Sequence, residues 1–392
     1  MRELIIDCKT ILLKELETMK VDAAAHELFL NKAVHKVIKL ENLSAAQANI
    51  LKQTALVCGA DLAIPRHAYR GSVKKKFPAM LCANQREIEK ITSRLSDQPW
   101  MKTICDDLKR TMAPALPRVL KLINKNYELN RTFIMGIINI TPDSFYGGNR
   151  YLTAETIKKI AEEMENEGAD FIDVGAESTR PGAQPLKESE EIARLKTALP
   201  VLSRTTKIPI SVDTYKSGVA SFAVEHGAQI INDISGLGFD RKMARIIARN
   251  KVGLVIMHIK GKPKTMQVDP AYENLMAELH AYFKARIEHA LDSGVEKERI
   301  IVDPGLGFGK RLEDNYEIIR RLEELRAFQR PVMAGHSRKS FIGSPFELAP
   351  EQRLEGTLGV EALLIENGAS ILRVHDVLEA KRVAMLVDRI LK

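Results

Sequence analysis

After Arg131, short apolar runs of strand character end eight times in polar or charged side chains. The ends read IINITPDSF (137–145), DVGAESTRPGA (173–183), ISVDT (210–214), IINDISG (230–236), IMHIKG (256–261), IVDPGLGFGK (301–310), VMAGHSRKS (332–340) and ILRVHD (371–376). Nearly every interval carries a helix-period segment, for example AETIKKIAEEMENEGA (154–169) and LGVEALLIENGA (358–369). Three of these segments end in Gly-Ala, at Gly168, Gly227 and Gly368, where a left-handed helix stop is expected ahead of a strand. Strand, polar cluster and helix in repetition is the layout of a (β/α)8 barrel, which builds its active site at the C-terminal ends of its strands. The Val- and Ile-rich runs suit parallel strands buried on both faces. The expected fold is α/β: a C-terminal (β/α)8 TIM barrel over 131–392, preceded by a smaller mixed α/β domain.

Charge separates the two parts. Of 59 Lys/Arg and 51 Asp/Glu, residues 1–130 hold 22 and 14, so the whole excess of +8 lies there and the remainder is neutral. All four cysteines (Cys8, Cys58, Cys82, Cys105) and the single Trp100 also fall in this third. The cysteines show no CxxC spacing and no grouping with histidine, which argues against a zinc or redox motif and for free thiols in a reducing compartment. No apolar run approaches the ~20 residues of a membrane span, and the start MRELIIDCKT lacks a signal-peptide core. The expected localisation is cytoplasmic, without a membrane partner. The boundaries expected are an accessory domain at 1–112, a linker at 113–130 carrying Pro114 and Pro117, and the barrel at 131–392.

Within the first part, VHKVIKL (34–40) predicts a strand and AAQANILKQTALV (45–57) an amphipathic helix. Asn84 followed by Glu87 predicts a capping box opening REIEKITSRL. RHAYRGSVKKK (66–76), with Tyr69 inside it and Phe77 next to it, is basic. A solvated loop is the favoured reading over a nucleic-acid contact.

The strand ends supply two kinds of chemistry. Asp213 and Asp303, with Asn232 and Lys339, offer donors and acceptors for the amide-like edge of a flat nitrogen heterocycle, and a carboxylate taking two parallel N–H bonds is the strongest such pairing. Arg180, Arg373 and His375 suit an anion, and the Asn139 oxygen suits Mg²⁺, which takes few protein ligands beside substrate phosphates. Singly, each has a plainer reading: an Asp as helix N-cap, an Arg in a surface ion pair, a histidine bonded in the core. Their joint occurrence at strand ends carries the functional reading. GLGFGK (305–310) is no Walker A loop, because its glycine spacing is wrong and Arg311 follows the lysine. Its glycines let backbone approach a flat ligand beside Phe308. SRKSFIG (337–343) predicts a helix start whose N–H groups, with Ser340, would take a carboxylate. DSF (143–145) and STRPGA (178–183) read as loops able to close over substrate.

At these residues the chain resembles the dihydropteroate synthase family. NITPDSF, ESTRPGA, SVDT, IND, MHIKGKPKTMQ, DPGLGFGK, SRKS and RVHDV stand in the family's order across roughly 131–376. The resemblance implies a TIM barrel that condenses 6-hydroxymethyl-7,8-dihydropterin pyrophosphate with p-aminobenzoate, releasing pyrophosphate. It implies a pterin pocket of Asp213, Asn232, Met257, Asp303, Phe308, Gly335, Lys339 and Arg373. It further implies a pyrophosphate and Mg²⁺ end at Asn139, Arg180, Arg373 and His375. Asp143, Phe145, Thr179, Arg180 and Pro181 would shape the p-aminobenzoate site, with Ser340 at the benzoate carboxylate. A catalytic set of Asp143, Arg180, Asp303, Lys339, Arg373 and His375, sensitivity to sulfonamides and a homodimer are implied as well. Ala176, Leu306 and His336 depart from the family's usual residues without removing a named ligand. A corrinoid-dependent methyltransferase barrel and a non-catalytic pterin-binding protein are the alternatives; intact SRKS, ESTRPGA and NITPDSF motifs argue against both.

Overall fold

The computed structural model describes residues 9–70, 75–112, 119–140, 153–178 and 182–391, and divides into two compact units, Met1–Pro114 and Ala115–Lys392. The first unit carries an antiparallel sheet of β1 (His35–Leu43), β2 (Asp61–Ala63) and β3 (Phe77–Asn84) in the order β1-β3-β2. Alternation along β3 buries Phe77, Ala79, Leu81 and Ala83 while Pro78, Met80 and Cys82 face outward. The buried face packs with helices Ala45–Cys58, Gln85–Leu95 and Lys102–Met112 through Leu51, Ala55, Ile88, Ile91 and Leu108. The expected capping box is present: the Glu87 N–H donates to Asn84 Oδ1 (3.0 Å) and the Asn84 N–H to Glu87 Oε2 (2.9 Å). Cys58 and Cys105 are buried free thiols and Cys82 is an exposed one. In the basic segment Tyr69 is exposed, but Phe77 belongs to the core, so the aromatic pair expected to flank the charges is reduced to one ring.

The second unit begins with a hairpin, β4 (Val119–Lys121) and β5 (Asn126–Glu128), where the sequence suggested a linker. Eight parallel strands follow: β6 (Phe133–Asn139), β7 (Phe171–Gly175), β8 (Ile210–Asp213), β9 (Ala228–Asp233), β10 (Gly253–Met257), β11 (Ile300–Asp303), β12 (Met333–Ala334) and β13 (Ile371–Val374). Their order runs β11-β10-β9-β8-β7-β6-β13-β12, and a parallel bridge between Val302 and Val332 closes the ring. This is the TIM barrel expected. Outward residues such as Ile172, Val212, Leu254 and Leu372 pack under the helix layer. Inward residues at the opposite end from the polar clusters, among them Met135, Phe171, Ile230, Val255, Ile301 and Met333, form a separate plug.

The hairpin explains why 119–130 is no linker. Leu120, Leu122, Tyr127 and Leu129 join the plug and seal the N-terminal end of the barrel, and Tyr127 packs on Phe133 and Phe171. Its apolar residues are too few and too irregular to announce a strand; they acquire a role only against the closed barrel. We expect Leu120→Ala to lower the unfolding free energy by about 2–5 kcal/mol, the usual cost of an apolar cavity. Urea unfolding of the full chain checks this, and a midpoint unchanged from wild type would contradict the sealing role.

Candidate active site

Every strand of the barrel delivers its last residues to one mouth. Asn139 ends β6 and lies beside Gly175 of β7, where an added Cβ would meet Asn139 Oδ1 at 3.2 Å and Asp213 Cβ at 3.9 Å. Parallel pairing aligns Gly175 with Asp213, and Asp213 with Asn232. Strand alternation then separates neighbours. Asn232 turns toward Asp173, donating Nδ2–H to Asp173 Oδ2 at 3.1 Å. Asp233 instead holds the turn behind it, accepting from Ser235 N–H (2.8 Å), Ser235 Oγ (2.7 Å) and Leu237 N–H (2.9 Å).

At the centre sits Arg373. Its Nε donates to Asp173 Oδ2 (2.6 Å) and its Nη2 to Asp213 Oδ2 (3.1 Å), so one guanidinium joins β13, β7 and β8. Burial opposes its charge, but Asp173 and Asp213 outweigh burial and hold Arg373 ionised. Burial and repulsion from Asp173 push Asp213 well above the usual carboxylate range, against the pull of Arg373. Asp173 Oδ1, Ser211 Oγ and Asn232 Oδ1 are buried without a protein partner. Buried polar atoms of this kind call for water or a ligand to complete them.

Opposite lies Asp303. It is oriented by the Gly305 N–H (2.7 Å), and burial raises its pKa while that bond, Lys339, Arg373 and Lys310 pull it back. Gly335, just after β12, lies beside both groups: a Cβ there would sit 3.9 Å from Asp303 Oδ2 and 3.8 Å from Arg373 Cδ. Lys339 donates to the Leu306 carbonyl at 2.5 Å and its ammonium lies 4.6 Å from the Phe308 ring centre. Burial lowers its pKa to about 8. Met257 and Phe308 share one apolar cluster with Ile234, Ile259 and Met266, giving the pocket a greasy wall.

The loops after β12 and β13 are fastened to each other. Ser337 Oγ and His375 Nδ1 are 3.0 Å apart, and Arg338 grips Asp376 through Nε (2.8 Å) and Nη2 (2.7 Å). Arg338 takes a left-handed φ of 54°, a conformation costly for a side-chain-bearing residue and sustained here by these bonds. Burial lowers the His375 pKa to about 4, helped by Arg373, so at neutral pH it acts as a neutral hydrogen-bonding group and not as a cation.

Residues 135–375 match the family of pterin binding enzymes. The dihydropteroate synthase of Bacillus subtilis (strain 168) is 42% identical over 264 residues, covering 67% of this chain and 89% of that protein. The chain belongs to the dihydropteroate synthase family. A solved Yersinia pestis dihydropteroate synthase with a sulfonamide drug superposes with a TM-score of 0.67 at 36% identity, covering 69% of this chain and 98% of that one. A probable bifunctional folylpolyglutamate synthase/dihydropteroate synthase of Halobacterium salinarum is 36% identical over 356 residues, 89% of this chain and 42% of that protein. That stretch is longer than the second unit, so the similarity reaches into the first unit as well.

Of the residues singled out in the sequence, the barrel mouth gathers Asn139, Asp213, Asn232, Met257, Asp303, Phe308, Gly335, Lys339, Arg373 and His375. Asp143, Phe145, Thr179, Arg180 and Pro181 lie outside the described residues. Ser340 is exposed and opens the helix Ser340–Gly343, a single turn at the helix start expected there. Two further groups emerge with this dihydropteroate synthase family site. Asp173, in DVGAESTRPGA ahead of the charged motif end, points inward from β7 to meet Arg373, and its alternation with the apolar residues of β7 is the signal that marks it. Glu177 accepts from Tyr215 Oη (2.9 Å), from the Leu186 N–H (3.0 Å) and from Lys216, which also bonds Glu191 at 2.6 Å. These bonds hold the stem of the loop after β7.

Proposed function

We propose that this chain is a dihydropteroate synthase, joining 6-hydroxymethyl-7,8-dihydropterin pyrophosphate to p-aminobenzoate with release of pyrophosphate. The observation that carries the reading is the convergence of Asp173, Asp213, Asn232, Asp303, Lys339 and Arg373 beside the Met257 and Phe308 wall, with buried acceptors still lacking donors. A pterin is flat and offers paired N–H donors on its aminopyrimidinone edge. Asp303 accepts that pair, Lys339 donates to ring acceptors, and Asn232 with Asp213 bonds the opposite edge. Such preorganised groups hold the exocyclic carbon in line for displacement.

As the C–O bond breaks, its electron pair leaves on pyrophosphate. The arylamine nitrogen then forms the C–N bond and loses a proton to water or to the departing pyrophosphate. An aniline nitrogen is already neutral at pH 7, so no strong general base is required. Neutral His375, its Nδ1 held by Ser337, can turn its other ring nitrogen toward a departing oxygen, and Arg180 would add a guanidinium. Asp143 would be the electrostatic partner of the positive charge that gathers on the ring side, and Phe145, Thr179, Pro181 and Ser340 would form the p-aminobenzoate site. The hard amide oxygen of Asn139, at the end of β6 in the barrel mouth, suits Mg²⁺ arriving with its phosphates. Bound there, the ion would neutralise charge on the leaving group.

The test is pyrophosphate release by the full-length protein given dihydropterin pyrophosphate and Mg²⁺. Release that requires p-aminobenzoate and is blocked by a sulfonamide supports the reading; pterin binding without turnover overturns it. Lys339 adds a pH signature. Its folded pKa is lowered to about 8, and the role needs the ammonium, so kcat/KM for the pterin substrate falls as pH rises through about 8. Lys339→Arg moves that limb beyond the measurable range, whereas an unchanged limb would assign it to another group.

We also propose a cytosolic homodimer. Leu363, Met385, Leu386 and Ile390, all exposed on the adjacent helices Leu354–Glu366 and Val377–Ile390, favour self-association. Among the described residues no helix is long and apolar enough to cross a membrane. Sedimentation of the purified chain decides the oligomeric state.

A further inference from the structure

The loop after β11 is held with unusual completeness. Five consecutive carbonyls, Gly305 to Gly309, each accept a bond: from Phe308 N–H (3.0 Å), Lys339 Nζ (2.5 Å), Gln267 Nε2 (2.6 Å), Lys310 Nζ (3.1 Å) and Tyr272 Oη (2.6 Å). Four of these donors come from side chains, and Lys310 is the one that is fully interior, 3% exposed. Among the described residues no carboxylate pairs with it. Its second bond goes to His258 Nδ1 at 3.0 Å, just beyond the end of β10.

This arrangement has a direction. With Lys310 as donor, His258 accepts through Nδ1 and keeps its proton on Nε2, and its ring packs edge-on to Tyr282 with centroids 4.7 Å apart. Tyr282 in turn donates to the Met257 carbonyl at 2.8 Å. The two loops are in contact beyond this pair: a Cβ on Gly305 would meet the His258 carbonyl oxygen at 2.0 Å, and one on Gly309 the Lys260 carbonyl oxygen at 2.5 Å. Lys310 therefore joins the backbone of Phe308 to the network that carries Met257, the two residues that make the apolar wall. Burial lowers the Lys310 pKa to about 7 against the pull of Asp303, so this lysine is a burden on stability that an apolar side chain of similar length would not impose.

We propose that Lys310 is a positioning residue of the pterin pocket, locking the loop after β11 to the end of β10 through His258. The proposal rests on the pterin-pocket reading above and adds a residue with no contact to the reacting atoms.

The test is a double-mutant cycle on the full-length protein. Lys310→Met and His258→Leu are each expected to weaken binding of the dihydropterin pyrophosphate by about tenfold or more, roughly the worth of one charged hydrogen bond. The KM for p-aminobenzoate should stay within about twofold. The double variant should bind no worse than either single one, because the same contact is lost once. Replacing both partners by apolar groups is close to neutral for folding, so its unfolding midpoint is expected near wild type. His258→Asn, which keeps an acceptor near Nδ1, should restore most of the affinity. Additive losses, failure of His258→Asn to rescue, or losses matched by equal unfolding would overturn the positioning role. If wild type itself neither binds the pterin nor turns over, the proposed function fails instead.

Discussion

Lys339→Ala and Asp303→Ala are each expected to lower kcat/KM for the pterin substrate by about 10²–10³-fold or more, with folding retained. Each removes a charged group from a buried pocket where hydrogen bonds to charge are worth about 1.5–3 kcal/mol and electrostatic contacts to the transition state more. The losses should not add, since Lys339 and Asp303 act on one ring and tune each other. Pyrophosphate release kinetics, paired with circular dichroism, check this; wild-type rates with an unchanged spectrum would remove both residues from the site.

Asp173→Asn is expected to have the second largest effect. The carboxylate takes the 2.6 Å bond from Arg373 and orients the Asn232 amide, so its loss leaves a buried guanidinium with Asp213 as its carboxylate contact. Breaking a buried ion pair on one side costs about 3–5 kcal/mol, and part of that cost should appear as a lowered unfolding midpoint. Turnover should fall by about 10²-fold, because Arg373 and Asn232 both lose their fixed orientation. Arg373→Met with Asp173→Leu, removing both charges, should recover stability without recovering activity. Recovery of both would make the pair purely architectural.

Much of this was legible in the chain. Strands and helices alternate strongly, and the polar residues that end each run stand where the barrel needs them, so Asp213, Asn232, Asp303 and Lys339 are legible as mouth residues in the sequence alone. What failed had local causes. The hairpin at 119–128 is short and flanked by proline, and its apolar residues gain a partner only from the far end of the barrel.

By itself the sequence determined the order of the barrel's strands and helices, because period and turn chemistry act over a few residues. Tertiary structure alone decided which neighbour faces inward, as with Asn232 against Asp233. It also decided which charges meet: Asp173 with Arg373 across 200 positions, and His258 with Lys310 across 52. Such pairs have no local signature. They form when the ring of strands closes, and burial then makes an unpaired charge too costly to leave alone.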